Sequence, residues 1–298
     1  MQLADRIDFM ELISVSGANP NGDPAKLGTP RTDSRGFGVI SSVCIRRKLR
    51  DRLSEMGECI LVSPSGSRGD VLARRASALA PGRDYTARAC EKWYDVRAFG
   101  QVFAFPELHA PGVKGAVTIQ QTYSVLPVKI TEMKITRCIR NTDDRRGTQM
   151  GSINFVEHGL YVVKGSVNAY SAQKTGFSAE DAEKLRLALL RMLDNDSSAA
   201  RPAGAMEVER LYWWRHSSMS GEYSPGRVFR TVEIKADCAD PRCFDDYTIT
   251  HSALPGLVPE IYGRYLTVAA VPDSAAWIIF SFVKSRAQSI RLRPAHFM

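Results

Sequence analysis

The sequence predicts an α+β domain built on a β-α-β-β-α-β kernel with insertions, and three segments carry that prediction. Ile7 to Val15 is apolar on both of its alternating faces, Ser41 to Met56 bears one apolar helical stripe, and Ser178 opens a second capped helix ahead of the strand Met206 to Trp214. With 298 residues the chain can bury a sizeable core in one or two domains.

The first strand places Ile7, Phe9, Ile13 and Val15 on one face and Met10 and Leu12 on the other, as expected of a strand covered on both sides. A turn-rich loop follows, with Asn19-Pro20-Asn21-Gly22-Asp23-Pro24 and then Pro30-Arg31-Thr32-Asp33. It leads into the basic helix. At about 100° per residue, Leu49, Leu53 and Met56 fall within roughly 80° of Ile45, the width of one buried stripe. Arg46, Arg47 and Arg50 occupy the adjoining arc of about 100° with no acidic side chain among them, so the pattern predicts an unneutralised cationic face. Lys48 and Arg52 lie on the other flank beside Asp51 and Glu55 and read as solvated ion pairs. Ser41 or Ser42 caps the helix, where the free N–H groups and the dipole attract a phosphate.

Glu58 to Ala89 is rich in turn formers, including Ser63 to Gly69 and Ala80-Pro81-Gly82, and reads as an insertion or mobile flap outside the core. Trp93 to Gly100 returns to an ordered element, and Ala116 to Val125 and Gly159 to Tyr170 have the composition of strands. Between those strands Cys138 to Asn154 is polar and basic, with Arg145, Arg146 and a lone apolar Met150 that reads as exposed between glycines. The second helix starts with the capping-box pattern Ser178 to Asp181, buries Ala182, Leu185, Leu189 and Met192, and ends near Asp194. Asp196 to Gly204 is a loop of small residues in which Arg201 can clamp a ligand; a plain connection is the alternative. Trp213 and Trp214 read as core and surface neighbours on one strand, with stacking on bases as the less favoured use.

A formal charge of +8 admits an acidic partner, and 24% charged against 44% hydrophobic residues is an ordinary globular mixture rather than a ribosomal one. Met1 to Arg6 runs straight into a strand, and the apolar run Trp277 to Val283 is too short to span a bilayer, so a soluble cytoplasmic protein without a membrane partner is expected. The six cysteines show no CxxC spacing and the five histidines are scattered. Free thiols, no metal and no cofactor are expected.

The motifs N-P-N-G-D-P (from Asn19), P-R-T-D (from Pro30), V-C-I-R-R-K-L-R (from Val43), W-Y-D-V-R-x-F-G (from Trp93), H-G-L-Y-V (from His158), T-G-F-S-x-E-D (from Thr175) and the later D-S-S-A-A-R (from Asp196) occur in order along the chain. Together they closely resemble the backbone subunit of type I CRISPR surveillance complexes, the Cas-seven family of the RAMP superfamily, and most of all its subtype I-C member. That resemblance implies a hand: a modified RRM, or ferredoxin-like, palm over residues 1–262, fingers within about 58–92 and a thumb at about 136–156, with 263–298 as a C-terminal extension of unknown role. It implies a crRNA-binding protein that polymerises head to tail with other copies of itself, displays the guide for pairing with target DNA, and meets Cas-five and Cas-eight type subunits of Cascade. The candidate RNA contacts are then Asn21, Arg31, Ser41, Arg46, Arg47, Arg50, Arg145, Arg146, Met150 and Arg201. No catalytic residue is implied. The rival reading is a RAMP endonuclease, cutting target RNA through Asp23 or Asp33 or processing the guide precursor through His158.

Overall fold

The computed structural model describes residues 1–63, 71–105, 108–136 and 150–263. It begins with strand β1 (Ile7–Ala18), followed by a loop pinched by the two-residue strands β2 (Gly22–Asp23) and β3 (Thr29–Pro30), then β4 (Phe37–Ile40) and helix α1 (Ser42–Glu55). The insertion contains α2 (Leu72–Ala76), α3 (Tyr85–Lys92), α4 (Tyr94–Phe99) and the hairpin of β5 (Gln101–Phe105) and β6 (Leu108–Val113). Strands β7 (Val117–Ile119), β8 (Thr122–Pro127) and β9 (Ile130–Thr136) precede the long β10 (Met150–Val167). Next come α5 (Ala169–Thr175), α6 (Ala179–Arg191), β11 (Met206–Arg215), α7 (Pro225–Phe229), β12 (Val232–Ala236), β13 (Tyr247–His251) and β14 (Glu260–Gly263).

The main sheet runs β14-β11-β1-β10-β8-β4, with β7 and β9 also on β10, and its pairings are antiparallel. Within it, β11, β1, β10 and β8 are the fourth, first, third and second strands of the expected kernel, and α1 and α6 are its two helices. The fold class is therefore α+β. Flanked on both edges, β1 is buried on both faces. Phe9, Ile13 and Val15 meet Ile45, Leu49 and Leu53 of α1 and Ala182, Leu185 and Leu189 of α6. Met10 and Leu12 lie under Val228 and Phe229 of α7 and Val232 and Tyr247 of the β12–β13 pair. Each such aliphatic side chain contributes about 1.5–3 kcal/mol by leaving water.

The capping box forms as expected: Ser178 Oγ accepts from Asp181 N–H (3.1 Å) and an Asp181 carboxylate oxygen accepts from Ser178 N–H (2.9 Å). Elsewhere the structure corrects the sequence. Trp214 is as buried as Trp213, because each face of β11 has its own cover; Trp213 stacks on Phe9 and Trp214 on Tyr212, and neither offers a face to a base. Ala116 to Val125 divides into β7 and β8 because pairing with β10 slips by one residue between Ile119↔Gly165 and Tyr123↔Val162. The strand expected at Gly159 starts at Met150 and stops at Val167, where Asn168 Oδ1 accepts from Ser171 N–H (2.8 Å) and opens α5 around Tyr170. The stretch read as an insertion or mobile flap outside the core is an insertion with a separate core of its own, from Leu61, Ala76, Tyr85, Ala89, Trp93 and Phe103; helices of five and eight residues are too short to show a period. Met150 is not a loop residue either, since it pairs with Thr136 at the end of the β9–β10 hairpin. Its side chain, and Arg145 and Arg146 altogether, lie outside the described residues.

Candidate nucleic-acid interface

Three segments meet at the N-terminal end of α1. The turn-rich loop is tied to the loop that carries Arg201, with Asn19 N–H donating to Ala200 O (2.8 Å) and Ser16 N–H to Ala205 O (2.8 Å). It is tied to the helix by Asn21 Oδ1, which accepts from Ser41 N–H (2.9 Å), and to the next turn by Arg31 N–H, which donates to Asn21 O (3.0 Å). Ser41 caps α1, its Oγ accepting from Cys44 N–H (3.2 Å). Asn21 and Ser41 thus hold the site in shape. Gly22 is needed where it stands, because a Cβ there would lie 2.8 Å from the carbonyl oxygen of Gly28.

The cations divide sharply. Arg46 folds back on its own helix, donating from Nε to Ser42 O (3.2 Å) and from Nη2 to Ser42 Oγ (3.3 Å), and meets no carboxylate among the described residues. Burial and the neighbouring charge of Arg50 both push its pKa down, so an anion placed there would be welcome. Arg50 itself is withdrawn. Its Nε donates to Asp95 (2.8 Å), the pair is 12% and 1% exposed, and its guanidinium lies over Phe99. Arg47 is not unneutralised, since it pairs with Asp51 one turn on (2.9 Å), with 40% of its side chain exposed. Helical arcs group residues by angle, whereas a long side chain reaches the next turn.

Lys48, expected in solvent, is 4% exposed and bonded to Asp196, and Arg52 is mostly covered beside Glu55. Asp196 also accepts from Arg201 Nε (2.9 Å), so one carboxylate holds a helix lysine and a loop arginine together. Arg31 faces Asp23 more loosely, at 3.7 Å with 36% of its side chain exposed. Arg31, Lys48, Asp196 and Arg201 all act on the thiol of Cys44, which burial first of all pushes up. The structure therefore gathers Asn21, Arg31, Ser41 and Arg201 about the first turn of α1, leaves Arg46 and Arg47 on other faces of the helix and pairs Arg50 with a buried carboxylate. Asp95 and Asp196 were missed from sequence; for Asp196 the signal was its place five residues before Arg201 in one small-residue loop.

The residues of the endonuclease reading have structural partners. Asp23 accepts from Ala25 N–H (3.1 Å) and faces Arg31, while Asp33 accepts from the N–H groups of Arg35 (2.9 Å) and Phe37 (3.0 Å). His158 sits 3.0 Å from Ser16 Oγ, and burial pushes its pKa down, against the pull of Asp246. Among the described residues no three His, Cys, Asp or Glu side chains gather to hold a metal, and no helix is long and apolar enough to cross a membrane. The five described cysteines are free thiols. What remains are guanidinium groups around the start of α1, suited to hold phosphates by charge and hydrogen bonding.

The chain is similar to a CRISPR-associated protein Cas7 of Haloferax volcanii, 24% identical over 306 residues that cover 92% of this chain and 88% of the relative. Two solved structures are similar to part of this chain. One, a CRISPR RNA-guided surveillance complex before nicking, gives a TM-score of 0.48 at 14% identity over 70% of this chain and 78% of the other. The second, also a CRISPR RNA-guided surveillance complex, gives 0.45 at 18% identity over 70% and 68%. The family model of CRISPR-associated protein Cas7 matches residues 5–252, and the chain belongs to that family.

Proposed function

We propose that this chain is the guide-RNA-binding backbone subunit of a type I CRISPR surveillance complex, of the subtype I-C kind. Copies polymerise head to tail along one CRISPR RNA, grip its phosphates without reading its bases, and leave the bases free to pair with invading DNA. Residues 1–262 form the palm with its insertions, about 58–92 the fingers and about 136–156 the thumb, and Cas-five and Cas-eight type subunits join the complex in the cytoplasm. Besides family membership, the observation that carries this reading is Arg46, a partly desolvated cation beside another cation and, among the described residues, without a carboxylate, on the helix whose first turn lies near Arg31 and Arg201. The work is binding, not cleavage.

The test measures RNA affinity against salt for the wild type and for the double variant Arg46→Ala/Arg201→Ala. Affinity should fall alike for every sequence, with the log–log salt slope flatter by about 0.7 per lost phosphate contact. Labelled guide and target RNA should stay intact. Sequence-dependent loss, or cleavage abolished by Asp33→Ala, sinks the proposal in favour of the endonuclease.

A further inference from the structure

Leu27 breaks a local rule at the edge of this site. Pro24–Lys26 is a single 3-10 turn capped by Asp23, and it ends at Leu27 with φ 52° and ψ 32°. That left-handed conformation is where a chain ordinarily places glycine, because a Cβ crowds the following carbonyl. Leu27 is the one non-glycine residue with positive φ among the described residues. Burial does not offset the strain, since the side chain is 99% exposed. Isolated exposed leucines need no explanation, but a strained one fully in water does.

The loop around it is held firmly. Gly28 N–H donates to Asp23 O (2.8 Å), Asn19 Nδ2 donates to Gly28 O (2.7 Å), and Gly22 packs against that same carbonyl. The pinch of β2 against β3 joins this tip to Asn21 and Arg31, and Asn19 N–H reaches Ala200 beside Arg201. An aliphatic knob thus stands on a firmly bonded loop whose neighbours include Lys26 and Arg31. Strain of this kind persists where function uses it.

We propose that Leu27 is a nucleobase contact, its side chain covering one face of one base of the bound guide RNA in each subunit. Apolar side chains make such contacts between or at the ends of stacked bases. The inference rests on the guide-binding reading. A second protein copy would be the other occupant of an exposed leucine, but the flanking Lys26 and Arg31 favour an anionic polymer.

The test uses the full chain with single-stranded RNA, comparing Leu27→Gly, Leu27→Met and Arg46→Ala. Leu27→Gly should weaken RNA binding about fivefold at every salt concentration with an unchanged slope, because an apolar contact releases no counterion. Its melting temperature should hold or rise, since glycine accepts positive φ. Leu27→Met should keep most of the affinity, and 4-thiouridine placed along the guide should crosslink to the peptide containing Leu27 at a regular spacing. Unchanged affinity in Leu27→Gly, or a flattened slope, overturns the inference. So does a variant that binds a short RNA normally yet fails to assemble on a long one, which would make Leu27 a contact between copies. If Arg46→Ala flattens the slope as expected while Leu27→Gly does nothing, guide binding stands and only this inference falls; a wild-type protein without RNA affinity removes both.

Discussion

Arg46 and Arg50 stand one turn apart on α1, are chemically identical and have opposite surroundings. Arg50 meets Asp95, a carboxylate 1% exposed that also accepts from the N–H groups of Leu61 (2.7 Å) and Val62 (3.1 Å). Among the described residues Arg46 bonds only to the serine below it. The difference teaches that a cationic helix face divides according to what the rest of the fold brings against it. The end of α1 nearer Ser41 opens onto two loops, and its later turns are closed by carboxylates from distant segments.

The largest effect should come from the closed half. Asp95→Ala would strand a buried guanidinium and two backbone donors, and is expected to cost about 3–5 kcal/mol in urea denaturation. A loss under about 1 kcal/mol would mean that Arg50 is free after all and belongs with Arg46. Glu11 sharpens the contrast from the acid side: it is fully buried on β1, neither oxygen has a hydrogen-bond partner, and desolvation raises its pKa well above the usual carboxylate value. A raised folded-state pKa favours the protonated form, so its contribution is fullest below the unfolded value of about 4.3 and is lost as pH rises toward the folded value. Relative to Glu11→Gln, wild-type stability should fall by about 1.4 kcal/mol per pH unit in that window. Parallel curves for the two proteins would show that Glu11 finds a partner.

The open half should respond differently. Arg46→Ala is expected to change stability by no more than about 0.5 kcal/mol while flattening the salt slope of RNA binding by about 0.7. A large stability loss would move Arg46 to the structural side of the comparison. The smallest effect belongs to Arg47→Ala, which removes a half-exposed helical pair with Asp51 and should cost about 0.3–0.5 kcal/mol by thermal melting.

The elements that were legible in the sequence were those whose signal is local. The two-faced apolar pattern of β1, the stripe Ile45-Leu49-Leu53 and the Ser178–Asp181 box each report the backbone within a turn or two of themselves, and each formed as read. Trp214 was misplaced because its cover, α7 and the β12–β13 pair, follows it in the chain and shows nothing in the strand itself. The insertion's own core was not legible, because Tyr85, Trp93 and Phe103 come together only once α2, α3 and the β5–β6 hairpin have been folded.

The site divides along the same line. Sequence by itself determined that a turn-rich loop, a serine cap and a basic helix adjoin one another, because they are consecutive and their geometry is set by hydrogen bonds a few residues long. Only the tertiary structure decided which cations remain free. The partners that capture Arg50 and Lys48 lie 45 and 148 residues away, and a charge interaction is governed by distance in space and by the water excluded around it, neither of which spacing along the chain contains.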